Sequence, residues 1–239
     1  MDEHRQYISG AIDSYYEYLL KCAILFNDKD CRRMWKDSIV AINKYLADES
    51  FSEVFIDTRG PNWRMGRGVW TLWYGHADMN TGKRGATTYG ALDAFFPAVL
   101  ALSGDLNRAR RLQRSSFAMW EEHGIEPEEF DYEKGEVVSA GYPLRPEIVE
   151  STYFLYHFTR DPAYLRMGEK MWKDFVAHCR TDEAYAALKS VVTKEKNDSM
   201  QSFLFAETFK YFYLLFAPRT KLNFDGVIFN TEAHPVRRK

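Results

Sequence analysis

The chain has 239 residues, of which 46% are hydrophobic and 16% aromatic, and its formal net charge is -2. This composition indicates one large folded domain with a substantial core, and it excludes a disordered chain. The mixed charges give no sign of nucleic acid or an anionic membrane as a partner. The sequence has no apolar run of about 18 residues, so we expect no transmembrane helix. The polar residues 1–5 lack the apolar region of a signal peptide.

Helical periodicity dominates the pattern of hydrophobic residues. Residues 11–27 and 31–47 predict a helical hairpin with its turn at 28–30. Pro146 suits the first turn of a later helix, because its missing N–H has no partner there. Asp161 is expected to cap the following helix. The other predicted elements are strands at 54–56, 69–74 and 227–229, helices at 88–103, 105–123, 146–159, 162–178, 182–192 and 199–216, and a loop at 125–145.

Helix–turn–helix units recur without a sequence repeat, and the strands are too short and scattered for β–α–β units. This pattern predicts an all-α fold, a toroid of helical hairpins with small β-hairpins at one end. No linker interrupts the pattern, so a single domain is expected. The three cysteines, Cys22, Cys31 and Cys179, include no pair at metal-ligand spacing. Because their number is odd, at least one is free or pairs outside the chain.

Two glutamates lie where a charged residue is unexpected. Glu17 is surrounded by tyrosine and leucine, and Glu207 lies in a helix that is apolar nearly all round. Such a helix is buried, and glutamate is seldom fully buried without a partner. An internal ion pair, for Glu207 with Lys210 one turn on, is one explanation. A functional site is the other.

Three more acidic residues extend this pattern. Glu147 and Glu150 are three apart, so they share one face at the N-terminal turn of a helix, where the helix dipole favours carboxylates. An acidic first turn is also ordinary helix design. Glu232 follows the apolar run 227–229, close to the C-terminus, where polar fraying is the usual expectation. Inside a toroid these buried-looking groups could perform carboxylate chemistry, hold a hard cation or bind sugar hydroxyls.

Other chemistries lack their motifs. The sequence has no Gly-rich phosphate loop followed by Lys-Ser/Thr, and no His-Glu-x-x-His. It also has no Gly-x-Ser-x-Gly, which argues against a serine hydrolase.

Five blocks resemble one known family in order and over almost the whole chain. They are DSYYEYLLK (13–21), ALDAFFPAVLALSGD (91–105), YPLRPEIVESTYFLY (142–156), SFLFAETFKYFYLLF (202–216) and FNTEAHP (229–235). The family is that of the class I α-1,2-mannosidases, glycoside hydrolase family 47. Within it the blocks resemble the ER degradation-enhancing branch.

The resemblance implies an (α/α)7 barrel that is closed at one end by a β-hairpin. It implies a Ca²⁺ ion at the hydroxyl and carbonyl of Thr231, completed by water and sugar hydroxyls, and all-oxygen ligation suits this ion. The implied activity is removal of α-1,2-linked mannose with inversion, which needs one carboxyl as acid and one as base. The implied partners are high-mannose N-glycans on misfolded glycoproteins and an oxidoreductase, in the ER lumen.

The resemblance also assigns residues. Glu147 matches the general base of the family. Gly90 stands where the family has an aspartate, two residues before Leu92. Asp93, displaced by about 4.5 Å along a helix axis, is the candidate to replace that aspartate. The residues that match the mannose subsite or the water shell of the ion are Glu17, Arg145, Glu150, Phe203, Glu207 and Glu232.

Residues 1–239 are expected to be the C-terminal portion of such a catalytic domain, without the N-terminal helices and the block that carries the family's glutamate acid candidate. Little or no hydrolysis by the chain alone is therefore expected. One alternative is a non-catalytic mannose-binding protein, motivated by Gly90. The other is an unrelated helical toroid used for interactions. Cys179 is a candidate for a bridge to a cysteine outside the chain.

Overall fold

The computed structural model describes residues 5–52, 55–57, 64–66 and 69–238. Within this part of the chain the architecture is a set of α-helices, arranged largely as hairpins, with short antiparallel strand pairs between them. None of the helices in these ranges is long and apolar enough to cross a membrane.

The first predicted hairpin is confirmed, with helix α1 at Asp13–Leu25 and α2 at Lys29–Tyr45. Asp28 caps α2, because its Oδ1 accepts a hydrogen bond from the Cys31 backbone N–H at 2.7 Å. A disulfide between Cys22 and Cys31 joins the two helices close to their turn. Cys179 is a free and fully buried thiol. Burial raises the pKa of this thiol to about 12. The bridge from Cys179 to a cysteine outside the chain stays a prediction.

Loss of the Cys22–Cys31 disulfide is expected to lower the free energy of unfolding by about 2–3 kcal/mol, because the bridge closes a short loop in the unfolded chain. Urea unfolding with and without reductant measures the change. A Cys22→Ser/Cys31→Ser variant serves as the control, since its midpoint should match the reduced protein and ignore the reductant. An identical midpoint for oxidised and reduced wild-type protein would contradict the expectation.

Among the described residues, the strands form four antiparallel pairs and one three-stranded antiparallel sheet. The predicted strands at 69–74 and 227–229 are confirmed, and the strand at 54–56 is observed from residue 55, since residue 54 lies outside the described residues. The first nine strands are β1 Arg5–Gln6, β2 Ala47–Ser52, β3 Phe55–Asp57, β4 Arg64–Gly66, β5 Val69–Tyr74, β6 Ala77–Asp78, β7 Thr88–Gly90, β8 Glu129–Asp131 and β9 Glu136–Ser139.

The segment predicted as a loop at 125–145 therefore contains a β-hairpin, β8–β9. The helix predicted from residue 88 begins later, because Thr88–Gly90 pairs with β8 in a three-stranded sheet. A 3₁₀ turn, Leu92–Phe95, then leads into α3, Phe96–Ser103. Gly104 ends α3 in the left-handed conformation (φ 93°), which glycine adopts without the strain of a side chain.

Helix α5, Glu147–Thr159, is the central helix of the structure. It contacts α3, α4 (Leu106–His123), α6 (Ala163–Cys179) and the last helix, and it is buried along most of its length. The Ser151 hydroxyl ties it to the preceding layer by donating to the Ala94 carbonyl at 2.6 Å and accepting from the Ala98 N–H at 3.1 Å. Its N-terminal turn, with Glu147 and Glu150, is therefore held rigidly.

The helix predicted at 182–192 is wrong. Leu188 forms an isolated β-bridge with Tyr142, in which each N–H donates to the other's carbonyl, and Val191 N–H donates to the Ala140 carbonyl. These long-range backbone bonds hold the segment extended, and they outweigh its weak helical periodicity.

The C-terminal region has a π-helical turn, Leu204–Thr208, then helix α7, Phe209–Phe216, within the range predicted as 199–216. The chain ends as a hairpin of β10 Val227–Phe229 and β11 Pro235–Arg237 instead of fraying. Asn230 Oδ1 closes the turn by accepting hydrogen bonds from the backbone N–H groups of Glu232 (3.0 Å) and His234 (2.8 Å). Lys210 holds the hairpin to α7 by donating to the Ala233 carbonyl at 2.8 Å.

Candidate active site

Two carboxyl groups lie at the N-terminal turn of α5, as predicted. Pro146 occupies the position just before the helix, and the side chains of Glu147 and Glu150 are buried (9% and 8% exposed). Burial raises the pKa of Glu147 to about 8, opposed by the charge of Arg145, whose Nη1 lies 4.0 Å from Glu147 Oε1. Burial and the charge of Glu17 raise the pKa of Glu150 to about 8. Tyr211 donates to Glu150 Oε1 at 2.9 Å.

Arg145 is the main cationic group beside Glu147. Its guanidinium forms a two-point ion pair with Glu128, in which Nη2 bonds Oε1 and Nε donates to Oε2 at 3.1 Å. The same guanidinium lies over the ring of Phe203, 5.7 Å from its centroid. Arg145 and Phe203 therefore form one wall next to the carboxyl groups of α5.

Glu17 lies on α1 and is buried (4% exposed), as its aromatic surroundings predict. It forms an ion pair with Lys21 on the next turn, which is also buried. Lys21 is the partner that the buried Glu17 carboxylate needs, because burying a charge without a partner would destabilise the fold. The pair also places one carboxyl of α1 beside Glu150, because the charge of Glu17 raises the pKa of Glu150.

Glu207 lies on the π-helical turn before α7, a type of irregularity that often occurs at functional sites. It is buried (7% exposed), and burial raises its pKa to about 8, with further contributions from Glu147 and Glu232. The carboxyl group of Glu232 thus lies close enough to Glu207 to favour its protonated form. The alternative of an ion pair with Lys210 is wrong, because the Lys210 ammonium bonds the C-terminal hairpin.

These groups converge on one region from four separate segments. Glu147 and Glu150 come from α5, Glu17 from α1, Glu207 from the π-helical turn, and Glu232 from the hairpin. The prediction that Glu232 is buried is wrong, because it lies exposed at the hairpin turn. The cluster thus has buried carboxyls on its inner side and an exposed one at its rim. Such an arrangement can accept hydrogen bonds from a polyhydroxylated ligand and can supply a general base.

Asp93 occupies the space that a side chain at Gly90 would need. The Gly90 N–H donates to Asp93 Oδ2 at 2.6 Å, and a Cβ at position 90 would lie 3.2 Å from that oxygen and 2.9 Å from the Glu128 carbonyl oxygen. Burial raises the pKa of Asp93 to about 7, opposed by the bonds from Gly90 and the Ser9 hydroxyl. A carboxyl group therefore lies beside position 90, although residue 90 itself has no side chain.

Thr231 lies exposed at the tip of the C-terminal hairpin. Its backbone N–H donates to the hydroxyl of Tyr18 on α1 at 3.2 Å, which fixes the tip against the helix that carries Glu17. The hydroxyl and carbonyl of Thr231, with the carboxyl pair Glu207–Glu232 nearby, are all hard oxygen donors. This donor set fits Ca²⁺ with part of its shell supplied by water.

A closed cage of side-chain carboxylates is absent from the described residues. In these ranges, one group of three side chains with potential metal-ligand atoms is found, formed by Cys22, Asp28 and Cys31. Their ligand atoms lie within 4.8 Å of one another. The two cysteines form the disulfide and offer no thiolate there. The disulfide therefore accounts for the proximity of these groups.

Several residues that contact the site are not predicted from the sequence. Glu128 pairs with Arg145, Lys21 pairs with Glu17, and Tyr211 bonds Glu150. The i,i+4 spacing of Glu17 and Lys21 was the one available signal. Glu126 is fully buried next to the cluster, and nothing in its local sequence indicates this.

Comparisons with known proteins agree with this architecture. The model of the glycosyl hydrolase family 47 matches residues 1–238. The Arabidopsis thaliana protein called alpha-mannosidase I MNS5 is 36% identical over 239 residues, which cover 98% of this chain and 37% of that protein. The mouse (Mus musculus) ER degradation-enhancing alpha-mannosidase-like protein 2 is 31% identical over 250 residues, covering 96% of this chain and 40% of that protein. The chain thus spans about two fifths of these relatives.

A solved structure shows the fold. The alpha-1,2-mannosidase from Trichoderma reesei superposes with a TM-score of 0.76 at 24% sequence identity, over 98% of this chain and 53% of that chain. The prediction of helical hairpins in an α/α barrel, present here as an incomplete ring with small β-hairpins, is confirmed. With the family model matching almost every residue, the chain belongs to glycosyl hydrolase family 47.

Proposed function

We propose that the chain supplies the base and the sugar-binding pocket for inverting hydrolysis of terminal α-1,2-linked mannose. The substrates are high-mannose N-glycans on glycoproteins, including misfolded ones, in quality control in the ER lumen. The observation that carries the proposal is the convergence of Glu147, Glu150, Glu207 and Glu17 beside Arg145 and Phe203. The names of relatives, which refer to mannosidases and to ER degradation, support it. An oxidoreductase partner stays a prediction.

The base role belongs to Glu147. In an inverting reaction one carboxylate removes a proton from the attacking water while a carboxylic acid protonates the leaving oxygen. Glu147 is held by the rigid first turn of α5 and lies next to the cation of Arg145, which favours its ionised form. Glu150, Glu207 and Glu17 accept hydrogen bonds from sugar hydroxyls, and Phe203 offers a face for the ring.

Asp93 is the proposed acid within this chain. Its pKa, raised to about 7, keeps it largely protonated below neutral pH and half protonated near pH 7, so that it can donate a proton. Asp93 lies beside Gly90, which stands where the family has an aspartate. This position supports Asp93 as the replacement for that aspartate. Full hydrolysis is proposed for the chain joined to the N-terminal block of the family, which carries the glutamate acid candidate.

Calcium is the proposed cofactor, held by Thr231 with Glu207 and Glu232 acting through its water shell. When bound, the ion would orient sugar hydroxyls and balance the negative charge of the cluster. The protein contributes the hairpin turn, which Asn230 and Lys210 lock in place.

A Thr231→Ala variant is expected to bind Ca²⁺ at least about tenfold more weakly, because it loses a hydroxyl ligand from the hairpin tip. Calorimetric titration of the chelator-treated protein with Ca²⁺ measures the affinity. Thr220→Ala, at another exposed position, is the matched control and should bind like wild type. Equal Ca²⁺ affinity in Thr231→Ala and wild type would remove the ion from this site.

A second function, recognition of mannose glycans without cleavage, is favoured by Gly90. The two functions are separated by incubating Man-α-1,2-Man with the chain joined to the family's N-terminal block, and assaying both binding and free mannose. Release of mannose supports the hydrolase. Saturable, Ca²⁺-dependent binding without release supports the recognition protein.

A further inference from the structure

Asn197, Asp198 and Ser199 form an Asn-x-Ser sequence, the acceptor pattern for an N-linked glycan. No other asparagine in the 239-residue sequence is followed two positions later by serine or threonine. The proposed reaction and the proposed calcium site make no use of these three residues. An acceptor that carries a glycan must lie at the surface of the folded protein, because the glycan is bulky and hydrophilic.

The acceptor sequence lies in a turn whose shape is set by main-chain hydrogen bonds. The Asn197 N–H donates to the Ala187 carbonyl at 2.7 Å, and the Ala187 N–H donates to the Ser199 carbonyl at 2.9 Å. Between these two bonds the Ser199 N–H donates to the Asn197 carbonyl at 2.7 Å, which closes a three-residue turn with Asp198 at its centre. Because no side chain of the acceptor sequence takes part in these bonds, substitutions at Asn197 and Ser199 are expected to leave the turn in place.

The turn presents the acceptor side chain to solvent. Asn197 is exposed, and so are its two neighbours, Lys196 and Asp198. The Asn197 side-chain amide makes no hydrogen bond within the described part of the chain. Its Nδ2 is therefore accessible, and a glycan bound to it displaces no buried side chain.

We propose that Asn197 is an N-glycosylation site. The transfer forms a bond between Asn197 Nδ2 and the anomeric carbon of an oligosaccharide, and it breaks the bond from that carbon to the diphosphate of a polyprenyl-linked donor. One amide proton passes to a base of the transferase, and the polyprenyl diphosphate leaves. The modification rests on the proposed function for its compartment, since donor and transferase act in the ER lumen.

The test is expression of the 239-residue chain behind a cleavable signal sequence in a eukaryotic host. The purified protein is treated with peptide-N-glycosidase, and its mass is measured before and after. Wild type is expected to lose the mass of one glycan, whereas Asn197→Gln and Ser199→Ala lose none. Ser199→Thr keeps the hydroxyl and should keep the glycan. Asn80→Gln is the matched control, because Asn80 is exposed but lies outside any acceptor sequence, so the mass loss should persist.

The folded state provides a second readout. The urea midpoint and the circular dichroism spectrum of the glycosylated chain are expected to match those of Asn197→Gln, because the acceptor side chain is exposed. A clearly lower midpoint for the glycosylated protein would show that the fold does not accommodate a glycan at this turn.

Two other results would overturn the proposal. One is an unmodified wild-type chain that has lost its signal sequence and formed the Cys22–Cys31 disulfide, since both changes show entry into the lumen. The other is a mass loss that persists in Asn197→Gln. The added signal sequence supplies the compartment and no mannose substrate is assayed, so the outcome is independent of whether the chain proves to be a hydrolase.

Discussion

Replacing Glu147 by glutamine is expected to abolish hydrolysis and to spare sugar binding. Glutamine keeps the shape of the side chain but cannot take a proton from water, and loss of a general base costs roughly 10²–10⁴-fold in rate. The measurement is release of free mannose from Man-α-1,2-Man by the chain joined to the family's N-terminal block. Binding of the disaccharide is measured in parallel by calorimetry.

The pH dependence provides an independent check of the same role. A base must be ionised and an acid protonated, and the pKa of Glu147 is raised to about 8 while that of Asp93 is raised to about 7, so kcat/KM is expected to follow a bell-shaped curve with its maximum between about 7 and 8. Glu183→Gln, at an exposed position, should behave as wild type. Unchanged turnover in Glu147→Gln would reject this residue as the base.

Replacing Lys21 by methionine is expected to lower the free energy of unfolding by about 3–5 kcal/mol, because it leaves the Glu17 carboxylate buried without its partner. Urea unfolding at neutral pH with a chelator present measures the loss, so that no cation takes the place of the ammonium. The double variant Glu17→Gln/Lys21→Met should recover much of the stability, since no charge remains. A loss below about 1 kcal/mol in Lys21→Met would show that the pair is solvated.

Much of the site could be predicted because its residues conflict with their surroundings. A glutamate among tyrosines and leucines, as at Glu17, or in an apolar helix, as at Glu207, indicates burial from sequence alone. Glu147 and Glu150 share a helix face by simple spacing. Their convergence, in contrast, depends on the resemblance to a known fold, since spacing within a helix does not place one helix against another.

The rest depends on long-range packing. Residues 182–192 have helical periodicity but form backbone bonds with the segment that contains Tyr142. Glu232 follows an apolar strand, yet the tight turn that Asn230 closes leaves it exposed. Glu126 has an ordinary sequence context next to proline and becomes fully buried when the chain folds. No local pattern encodes these contacts.

The central claim, that the converging carboxyls and the hairpin tip form a Ca²⁺-dependent mannose site, is tested most directly by calorimetry. Man-α-1,2-Man is titrated into the 239-residue chain in Ca²⁺ and again in excess chelator, with folding checked by circular dichroism in both. Saturable binding of one disaccharide per chain that disappears with the chelator is the predicted result. Absence of binding by the folded, Ca²⁺-loaded protein, or equal binding in both conditions, would contradict the account.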